Sequence, residues 1–132
     1  MNYLLDTHTL IWAISDRSKL SQTARGAIDN TDNSIFVSSI SFWEIALKFS
    51  IGKLEINGIL PEELPELTLN TGFKLISLSP DESASYHMLP LAGHKDMFDR
   101  MLVWQAIRGN LIFVSKDDRI GQYRKEGLKI LW

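Results

Sequence analysis

Five short apolar runs, separated by stretches with helical spacing, constrain the fold of this chain more than any other feature. The runs cover residues 3–5, 34–37, 73–78, 110–115 and 128–132. Runs such as "LIFV" are apolar at almost every position, as expected of strands buried on both faces of a sheet. Strands that alternate with helices are typical of a parallel sheet with helices on both sides. The sequence therefore predicts a three-layer α/β fold around a mostly parallel sheet of about five strands.

The segments between these runs carry apolar residues at helical spacing. The stretch 51–64, "IGKLEINGILPEEL", holds two glycines and a proline and is expected to be irregular. The sequence shows no internal repeat and no linker, so its 132 residues are predicted to form a single domain, 1-132. Helices are predicted over residues 7–15, 20–30, 41–51, 62–71, 80–89 and 96–108.

Composition excludes several classes of site and partner. The chain contains no cysteine, so disulfides and thiolate metal sites are excluded, and any metal must bind oxygen or imidazole. No apolar run reaches the length of a membrane span, and "MNYLLD" lacks the basic flank of a signal peptide. A cytoplasmic protein is therefore expected. The formal net charge of −2 argues against a simple nucleic-acid binder. A metal-dependent nuclease escapes this argument, because bound cations reverse the sign of an acidic pocket.

Acidic residues stand at the start of several predicted helices, and each has a local explanation. Asp6 follows the first strand and could cap the next helix. Ser41 and Glu44 have the spacing of a capping box, and Trp43 between them is predicted to lie in the core. Asp117 could open a short helix after the fourth strand. Capping alone, however, does not require acids from different helices to meet.

A second pair of acids lies in "HKDMFDRMLVWQA", which leads into an apolar helix. Asp96 is predicted to be the N-cap of this helix, and Asp99 then occupies its third position. A carboxylate in the first helical turn interacts favourably with the helix dipole, by about 0.3–1 kcal/mol. Helix capping is therefore a sufficient local explanation for either residue alone.

Sheet geometry is expected to bring four of these acids together. In a parallel sheet, the carboxyl ends of the strands and the amino ends of the crossover helices share one edge, where ligands bind. Asp6 and Asp117 follow strands, whereas Glu44 and Asp99 start helices. Four carboxylates at one edge repel one another unless a positive charge lies between them. Hard divalent cations such as Mg²⁺ or Mn²⁺ bind clustered carboxylate oxygens.

The chain resembles the PIN-domain ribonucleases, and most closely the toxin component of VapBC-type toxin–antitoxin pairs. The resemblance rests on four segments in order: "YLLDTHTLIW", "SSISFWEIALKFSIGKL", "HKDMFDRMLVWQA" and "LIFVSKD". It implies an acidic pocket at the carboxyl edge of the sheet, dependence on Mg²⁺ or Mn²⁺, and endonucleolytic cleavage of RNA. It also implies a protein antitoxin that blocks the pocket, and a homodimer.

Matching the segments one by one assigns residues to the implied site. The four family acids correspond to Asp6, Glu44, Asp99 and Asp117. Asp6 and Asp99 are expected to hold the main cation, with Glu44 and Asp117 binding through water or completing a second site. Whether one or two ions act stays open, as does the RNA that is cleaved. Secondary candidates are Ser115, which matches a hydroxyl position beside the last acid, Asp96, which matches an acid common in this branch of the family, and Arg100.

The sequence departs from the family pattern at one position. Met97 stands where the family usually has a proline, which weakens the helix-start signal and affects none of the acids.

Other polar and aromatic residues are assigned lesser roles. His8 and His94 are expected to be hydrogen-bonding bystanders of the pocket. The cationic side chains are expected either to contact RNA phosphates or to be solvated, and Arg100 could instead pair with a site carboxylate. The tryptophans of the helical stripes are expected in the core or at a subunit interface. The residues concerned are Lys48, Lys95, Arg100 and Lys116 among the cations, and Trp12, Trp43 and Trp104 among the aromatics.

Three other functions are compatible with parts of the sequence. A catalytically inactive PIN-like module that binds RNA or protein is the main alternative, although all four matched acids are present. A phosphatase is suggested by "LLDTHT", which resembles the nucleophile strand of haloacid-dehalogenase enzymes, but His8 stands where those enzymes carry a second aspartate. Dinucleotide binding is poorly supported, because no GxGxxG pattern follows the first strand.

Overall fold

A five-stranded parallel sheet, in the order β3-β2-β1-β4-β5, forms the middle layer of the fold. The computed structural model describes residues 1–91 and 93–132. All four strand pairs are parallel, which confirms the α/β prediction and shows the sheet to be entirely parallel in the described residues. The strands are β1 (Asn2–Leu5), β2 (Ser34–Ser38), β3 (Lys74–Ile76), β4 (Ile112–Val114) and β5 (Lys129–Leu131).

Six α-helices connect the strands. They are α1 (Thr7–Ser15), α2 (Gln22–Asp29), α3 (Ser39–Ser50), α4 (Leu64–Asn70), α5 (Pro80–Ser85) and α6 (Met97–Gly109). Short 3-10 segments add Arg17–Lys19, Pro61–Glu63, Tyr86–Met88 and Asp118–Glu126. Among the described residues, none of these helices combines the length and apolar composition that a membrane crossing requires.

Two predicted helices are shorter in the structure. The fourth begins as a 3-10 turn at Pro61 and becomes α-helical only at Leu64. The fifth tightens into a 3-10 turn after Ser85, where the Leu89 N–H donates to the Tyr86 carbonyl three residues earlier. The irregular stretch predicted between α3 and α4 is confirmed, since a single isolated bridge between Ile56 and Ile59 is its only sheet pairing among the described residues.

Alternation along β1 divides the core into two layers. Tyr3 and Leu5 pack with residues of α1 and α2 on one face of the sheet, whereas Leu4 packs with α6 on the other. Helix α3 contacts both α1 and α6, because Ile40 joins one layer and Ile45 the other. This arrangement confirms the predicted three layers and places α3 across the carboxyl edge of the sheet. That all residues form one domain stays a prediction.

The strand order creates a switch point beside β1. The chain builds β2 and β3 on one side of β1, then crosses to place β4 on the other side. The carboxyl ends of β1 and β4 therefore lie next to each other, and the Asp6 N–H donates to the Val114 carbonyl at 3.1 Å. Open α/β sheets bind ligands at such a point, because the flanking loops separate there.

Candidate metal centre

Asp6 caps a helix and also contributes a buried carboxylate to the carboxyl edge. Its Oδ1 accepts from the Thr9 N–H at 2.8 Å, as predicted for an N-cap. Its Oδ2 accepts from the Ser115 hydroxyl, which reaches across from the end of β4. Burial raises the pKa of Asp6 above its usual range, although both hydrogen bonds oppose that rise. The strand end therefore holds a carboxylate that is costly to ionise in its present surroundings.

Glu44 reaches the same edge, but not through the predicted capping box. Helix α3 begins at Ser39, because the Ser38 hydroxyl accepts from the Ile40 N–H at 3.1 Å. The prediction that Ser41 and Glu44 form a capping box is therefore wrong, and Glu44 lies in the second helical turn instead of at the helix start. Its carboxylate is 2% exposed and accepts from the Thr7 hydroxyl at 2.6 Å.

The start of α6 follows the prediction closely. The Asp96 carboxylate accepts from the Phe98 and Asp99 N–H groups, both at 3.0 Å, and caps the helix. Met97 is the first helical residue in place of the family's proline. Asp99 is thus the third residue of the helix, where its side chain is 19% exposed.

Four other carboxylates lie within electrostatic reach of Asp99. Burial raises the pKa of Asp99 from 3.8 to about 7, and further increases come from Asp96, Glu44, Asp6 and Asp117, in that order. The carboxylate oxygens of Asp99 and Asp117 and a ring nitrogen of His94 lie within 4.8 Å of one another. A clustered set of oxygen donors with excess negative charge fits a hard divalent cation.

Asp117 is partly neutralised by a residue that the sequence interpretation did not single out. The Arg119 guanidinium donates two or more hydrogen bonds to the Asp117 carboxylate, with Nη2 2.9 Å from Oδ2. The same Nη2 lies 4.0 Å from Asp99 Oδ2. The hydrogen bonds from Arg119 lower the pKa of Asp117. The sequence signal that could have identified Arg119 is its position two residues after Asp117, at the start of a 3-10 segment. Arg119 is exposed and occupies the rim of the acidic pocket.

Arg100 neither contacts a site carboxylate nor faces solvent, so the predictions of an acidic partner and of a solvated side chain are wrong, whereas contact with RNA stays a prediction. The residue is 3% exposed. It follows Asp99 by one position, and a helix turns by about 100° per residue, so its side chain points away from the pocket. Its guanidinium donates to the carbonyls of Leu89, Pro90 and Leu91 and to the hydroxyls of Tyr86 and Tyr123.

His94 is more closely tied to the acids than the sequence indicated. The residue is 5% exposed, and its Nδ1 lies 3.2 Å from the Tyr123 hydroxyl. Its Nε2 has no hydrogen-bond partner in the described structure and lies 3.7 Å from Asp99 Oδ2. Burial lowers the pKa of the imidazole below its usual value of 6.5. The expected hydrogen bond is present, and whether His94 is a bystander of the pocket stays a prediction.

The remaining cations differ in their surroundings. Lys48 forms an ion pair with Glu44 and is half-buried, whereas Lys95 and Lys116 are exposed. Lys116 lies over the Trp12 ring at 5.9 Å. Lys116 also lines a cavity of about 280 Å³. The other lining residues are Asp6, His8, Trp12, Asp117 and Arg119.

The tryptophans divide between core and surface. Trp104 is 7% exposed and belongs to the core, as predicted. Trp43 is 54% exposed, so its prediction as a core residue is wrong. Its ring packs edge-on against Phe98, with ring centroids 5.2 Å apart. Trp43 therefore presents an apolar surface close to the start of α6.

Comparison with known proteins adds family membership to this geometry. A sequence profile described as the PIN domain matches residues 3–126. The chain is 26% identical over 129 residues to Ribonuclease VapC22 of Mycobacterium tuberculosis (strain ATCC 25618 / H37Rv), a match that covers 98% of this chain and 97% of that protein.

Solved structures share the fold. VapBC2 from Rickettsia felis, bound to a promoter DNA fragment, matches with a TM-score of 0.69 and 20% identity over 100% of this chain and 99% of that chain. FitAcB from Neisseria gonorrhoeae matches with a TM-score of 0.67 and 18% identity over 100% of this chain and 97% of that chain. The family profile spans nearly the whole sequence and the same topology recurs in these structures, so the chain belongs to the PIN domain family.

Proposed function

We propose that this protein is an endoribonuclease dependent on Mg²⁺ or Mn²⁺, and that it acts as the toxin of a VapBC-type toxin–antitoxin pair. The observation that carries the proposal is the cluster of carboxylates around Asp99, in which burial and four neighbouring acids raise the pKa of Asp99 to about 7. Membership of the PIN domain family and the similarity to Ribonuclease VapC22 support RNA as the substrate.

Four acids would hold the cation. Asp6 and Asp99 are the proposed direct ligands, and Glu44 and Asp117 would bind through water or complete a second site. A bound cation lowers the pKa of a coordinated water and offsets charge on the scissile phosphate. The protein's own contribution is to fix the ligands, because the hydroxyls of Ser115 and Thr7 donate to Asp6 and Glu44.

The rim of the pocket supplies positive charge for the RNA backbone. Lys116 and Arg119 are exposed beside Asp6 and Asp117, at the mouth of the 280 Å³ cavity. Phosphate contacts from such side chains orient a nucleic acid without reading its sequence. We infer that they place a phosphodiester over the acids. A carboxylate of the cluster would then orient the attacking water.

An inactive module that binds RNA or protein is the alternative function. The other three matched acids lie within electrostatic reach of Asp99, and none of the four side chains is more than about one-fifth exposed. A binding module has no need to keep such mutually repelling charges away from water. The free-energy cost of burying these carboxylates favours the nuclease, because a bound cation would neutralise their repulsion and be held by the same charges.

Substitution of Asp6 tests the catalytic proposal. We expect Asp6→Asn to reduce cleavage of single-stranded RNA in Mn²⁺ by about 100-fold or more, because loss of one ligand charge removes several kcal/mol of stabilisation. Asparagine caps helices as well as aspartate does, so the fold should remain intact. Cleavage is measured on end-labelled RNA, with and without a chelator.

The matched control is Asp16→Asn. Asp16 also caps a helical turn, by accepting from the Ser18 N–H, but it lies outside the acidic cluster. We expect this variant to cleave as the wild type does. Full activity of Asp6→Asn, or undiminished cleavage by wild-type protein in the presence of chelator, would contradict the proposed mechanism.

We also propose a protein antitoxin, a homodimer and action in the cytoplasm. The solved relatives include VapBC2 and FitAB, each bound to DNA. Exposed apolar side chains along α3, at Trp43, Leu47 and Phe49, offer a surface that a protein partner would cover.

Growth measurements test the toxin role. Expression of the protein alone should arrest bacterial growth, and co-expression of a small protein encoded beside it should restore growth. The Asp6→Asn variant should not arrest growth, because arrest is attributed to RNA cleavage. Growth arrest by this variant equal to that of the wild type would instead favour a binding role.

A further inference from the structure

The strongest unexplained feature of the site is the Nε2 atom of His94. The side chain is almost fully buried, yet this atom has no hydrogen-bond partner among the described residues. It lies 3.7 Å from Asp99 Oδ2. Within the described residues, His94, Asp99 and Asp117 form the one group of histidine and acidic side chains close enough to share a metal ion. Buried polar atoms are rarely left unpaired, so an atom of this kind indicates a partner or a functional role.

The hydrogen bonds behind His94 assign its tautomer. Arg100 Nη1 donates to the Tyr123 hydroxyl oxygen at 2.8 Å, and a guanidinium can only donate. The Tyr123 hydroxyl therefore keeps its own proton for another acceptor. In the described structure the available acceptor is His94 Nδ1, at 3.2 Å. Because Nδ1 accepts this hydrogen bond it carries no proton, so the ring proton is on Nε2.

We propose that Arg100, Tyr123 and His94 form a buried hydrogen-bond chain that presents the His94 Nε2–H as a donor to the Asp99 carboxylate. The inference rests on the proposed function, since Asp99 is there a cation ligand. His94 is then a positioning residue that acts through Asp99. Ligating carboxylates are commonly held by such partners, whose loss lowers metal affinity by about 10- to 100-fold.

The geometry needs only a small adjustment to complete the bond. A hydrogen bond from N–H to a carboxylate is formed at about 2.7–3.2 Å, so Asp99 must move by about 0.5 Å or more towards His94. Asp99 has rotational freedom for this movement, because its carboxylate makes no hydrogen bond within the described residues. Its carboxylate is also drawn towards Arg119, which lies 4.0 Å away on the exposed side. The donor from His94 would oppose that pull and keep Asp99 facing the other acids.

Direct coordination of a cation by His94 is the competing arrangement. It requires a free lone pair on Nε2, so the ring proton would have to be on Nδ1 and be donated to Tyr123. The Tyr123 oxygen would then accept from both Arg100 and His94, and its own proton would have no acceptor in the described structure. A buried hydroxyl without an acceptor is unfavourable, so the donor arrangement is preferred.

Nitrogen NMR of the histidine side chains tests the tautomer directly. In wild-type protein labelled with ¹⁵N-histidine, we expect His94 to be protonated on Nε2, both without a cation and at saturating Mg²⁺. Protonation on Nδ1, or loss of the Nε2 proton on Mg²⁺ addition, would overturn the proposal in favour of direct coordination.

Two conservative tyrosine variants test whether the chain acts on the cation site. Tyr123→Phe and Tyr86→Phe each remove one hydroxyl that accepts from Arg100, but only the Tyr123 hydroxyl contacts His94. We expect Tyr123→Phe to raise the Kd for Mn²⁺ about tenfold and Tyr86→Phe to leave it within about twofold. Calorimetric titration with Mn²⁺ gives both values.

Substitutions of His94 distinguish its role as a hydrogen-bond donor from its role in packing. We expect His94→Phe to weaken Mn²⁺ binding at least as much as Tyr123→Phe does. His94→Gln, whose amide can supply a donor near the Nε2 position, should recover most of the affinity. Equal Mn²⁺ affinity in wild type, His94→Phe and Tyr123→Phe would overturn the inference alone, whereas wild-type protein that binds no Mn²⁺ would overturn the proposed function on which it rests.

Discussion

Asp99→Asn is expected to abolish RNA cleavage while raising the melting temperature of the cation-free protein. The Asp99 pKa is raised from 3.8 to about 7, with burial as the largest cause and four neighbouring carboxylates adding to it. Above that pKa the ionised carboxyl costs the folded state up to about 4 kcal/mol, which solvent screening at a partly exposed side chain reduces. Removing the charge removes this cost.

One opposing effect sets the net size of the change. Asp99 lies in the first turn of α6, where a negative charge gains about 0.3–1 kcal/mol from the helix dipole. The cost of repulsion and burial is larger, so the variant should be about 1–3 kcal/mol more stable above pH 7, or several degrees in melting temperature. Thermal denaturation followed by circular dichroism in the presence of chelator measures the difference.

The pH dependence of this difference has a defined sign. The folded-state pKa of Asp99 is raised, so both states are protonated below pH 3.8 and the carboxyl then carries no cost. The cost grows as pH rises from 3.8 to about 7 and is complete above that value. The advantage of Asp99→Asn should therefore be greatest above pH 7 and should disappear as the pH falls towards 4.

The control is a first-turn aspartate that lies outside the acidic cluster. Asp81 also lies in the first turn of a helix, α5, but its side chain is 75% exposed and pairs with Arg108. We expect Asp81→Asn to lower stability slightly, by about 1 kcal/mol or less. Added Mn²⁺ should stabilise wild type and not Asp99→Asn. If Asp99→Asn melts below wild type throughout this pH range, the acids do not repel one another as described.

Arg100→Lys is expected to destabilise the fold strongly. The Arg100 guanidinium is buried and donates to three carbonyls and two hydroxyls, which join the loop before α6 to the 3-10 segment that contains Tyr123. A lysine keeps the charge, but its ammonium group cannot reach all five acceptors of the planar guanidinium, so several acceptors would lose their donor. We expect a loss of about 3 kcal/mol or more in the free energy of unfolding. Urea denaturation measures it.

Arg108→Lys is the control for this substitution. Arg108 lies on the same helix, but it is partly exposed and pairs with Asp81 at the surface. Surface pairs contribute about 0–1 kcal/mol, so this variant should unfold close to wild type. If Arg100→Lys is as stable as wild type but cleaves RNA poorly, Arg100 instead contacts the substrate, as its sequence position first suggested.

The contrast between Arg100 and Asp99 shows what sequence position leaves undecided. They are adjacent in the chain, and the start of α6 at Met97 was predictable from Asp96 as N-cap. Helix rotation then places Asp99 towards the acids and Arg100 towards a loop. Which face meets the pocket depends on how α6 packs on Leu4 and Phe113 of the sheet, and such packing is not encoded in local spacing.

Glu44 illustrates the same limit in another form. The pattern of Ser41 and Glu44 is a valid helix-start signal, but Ser38 at the end of β2 caps the helix first. Glu44 still reaches the carboxyl edge, because α3 lies across it and places the carboxylate 2.6 Å from the Thr7 hydroxyl. The assignment of Glu44 to the site rests on the family resemblance and stays a prediction, whereas the capping box proposed for its position is wrong.

The sequence by itself determined the order of strands and helices and the acids at their ends. Hydrophobic periodicity, strand ends and N-caps are local signals, and parallel strands place their carboxyl ends at one edge. Only the tertiary structure decided how those acids are held and charged. Ser115 reaches Asp6 across 109 positions of sequence, and Tyr123 reaches His94 across 29. Contacts of this kind depend on packing between distant segments, so burial, pKa and tautomer are properties of the folded chain.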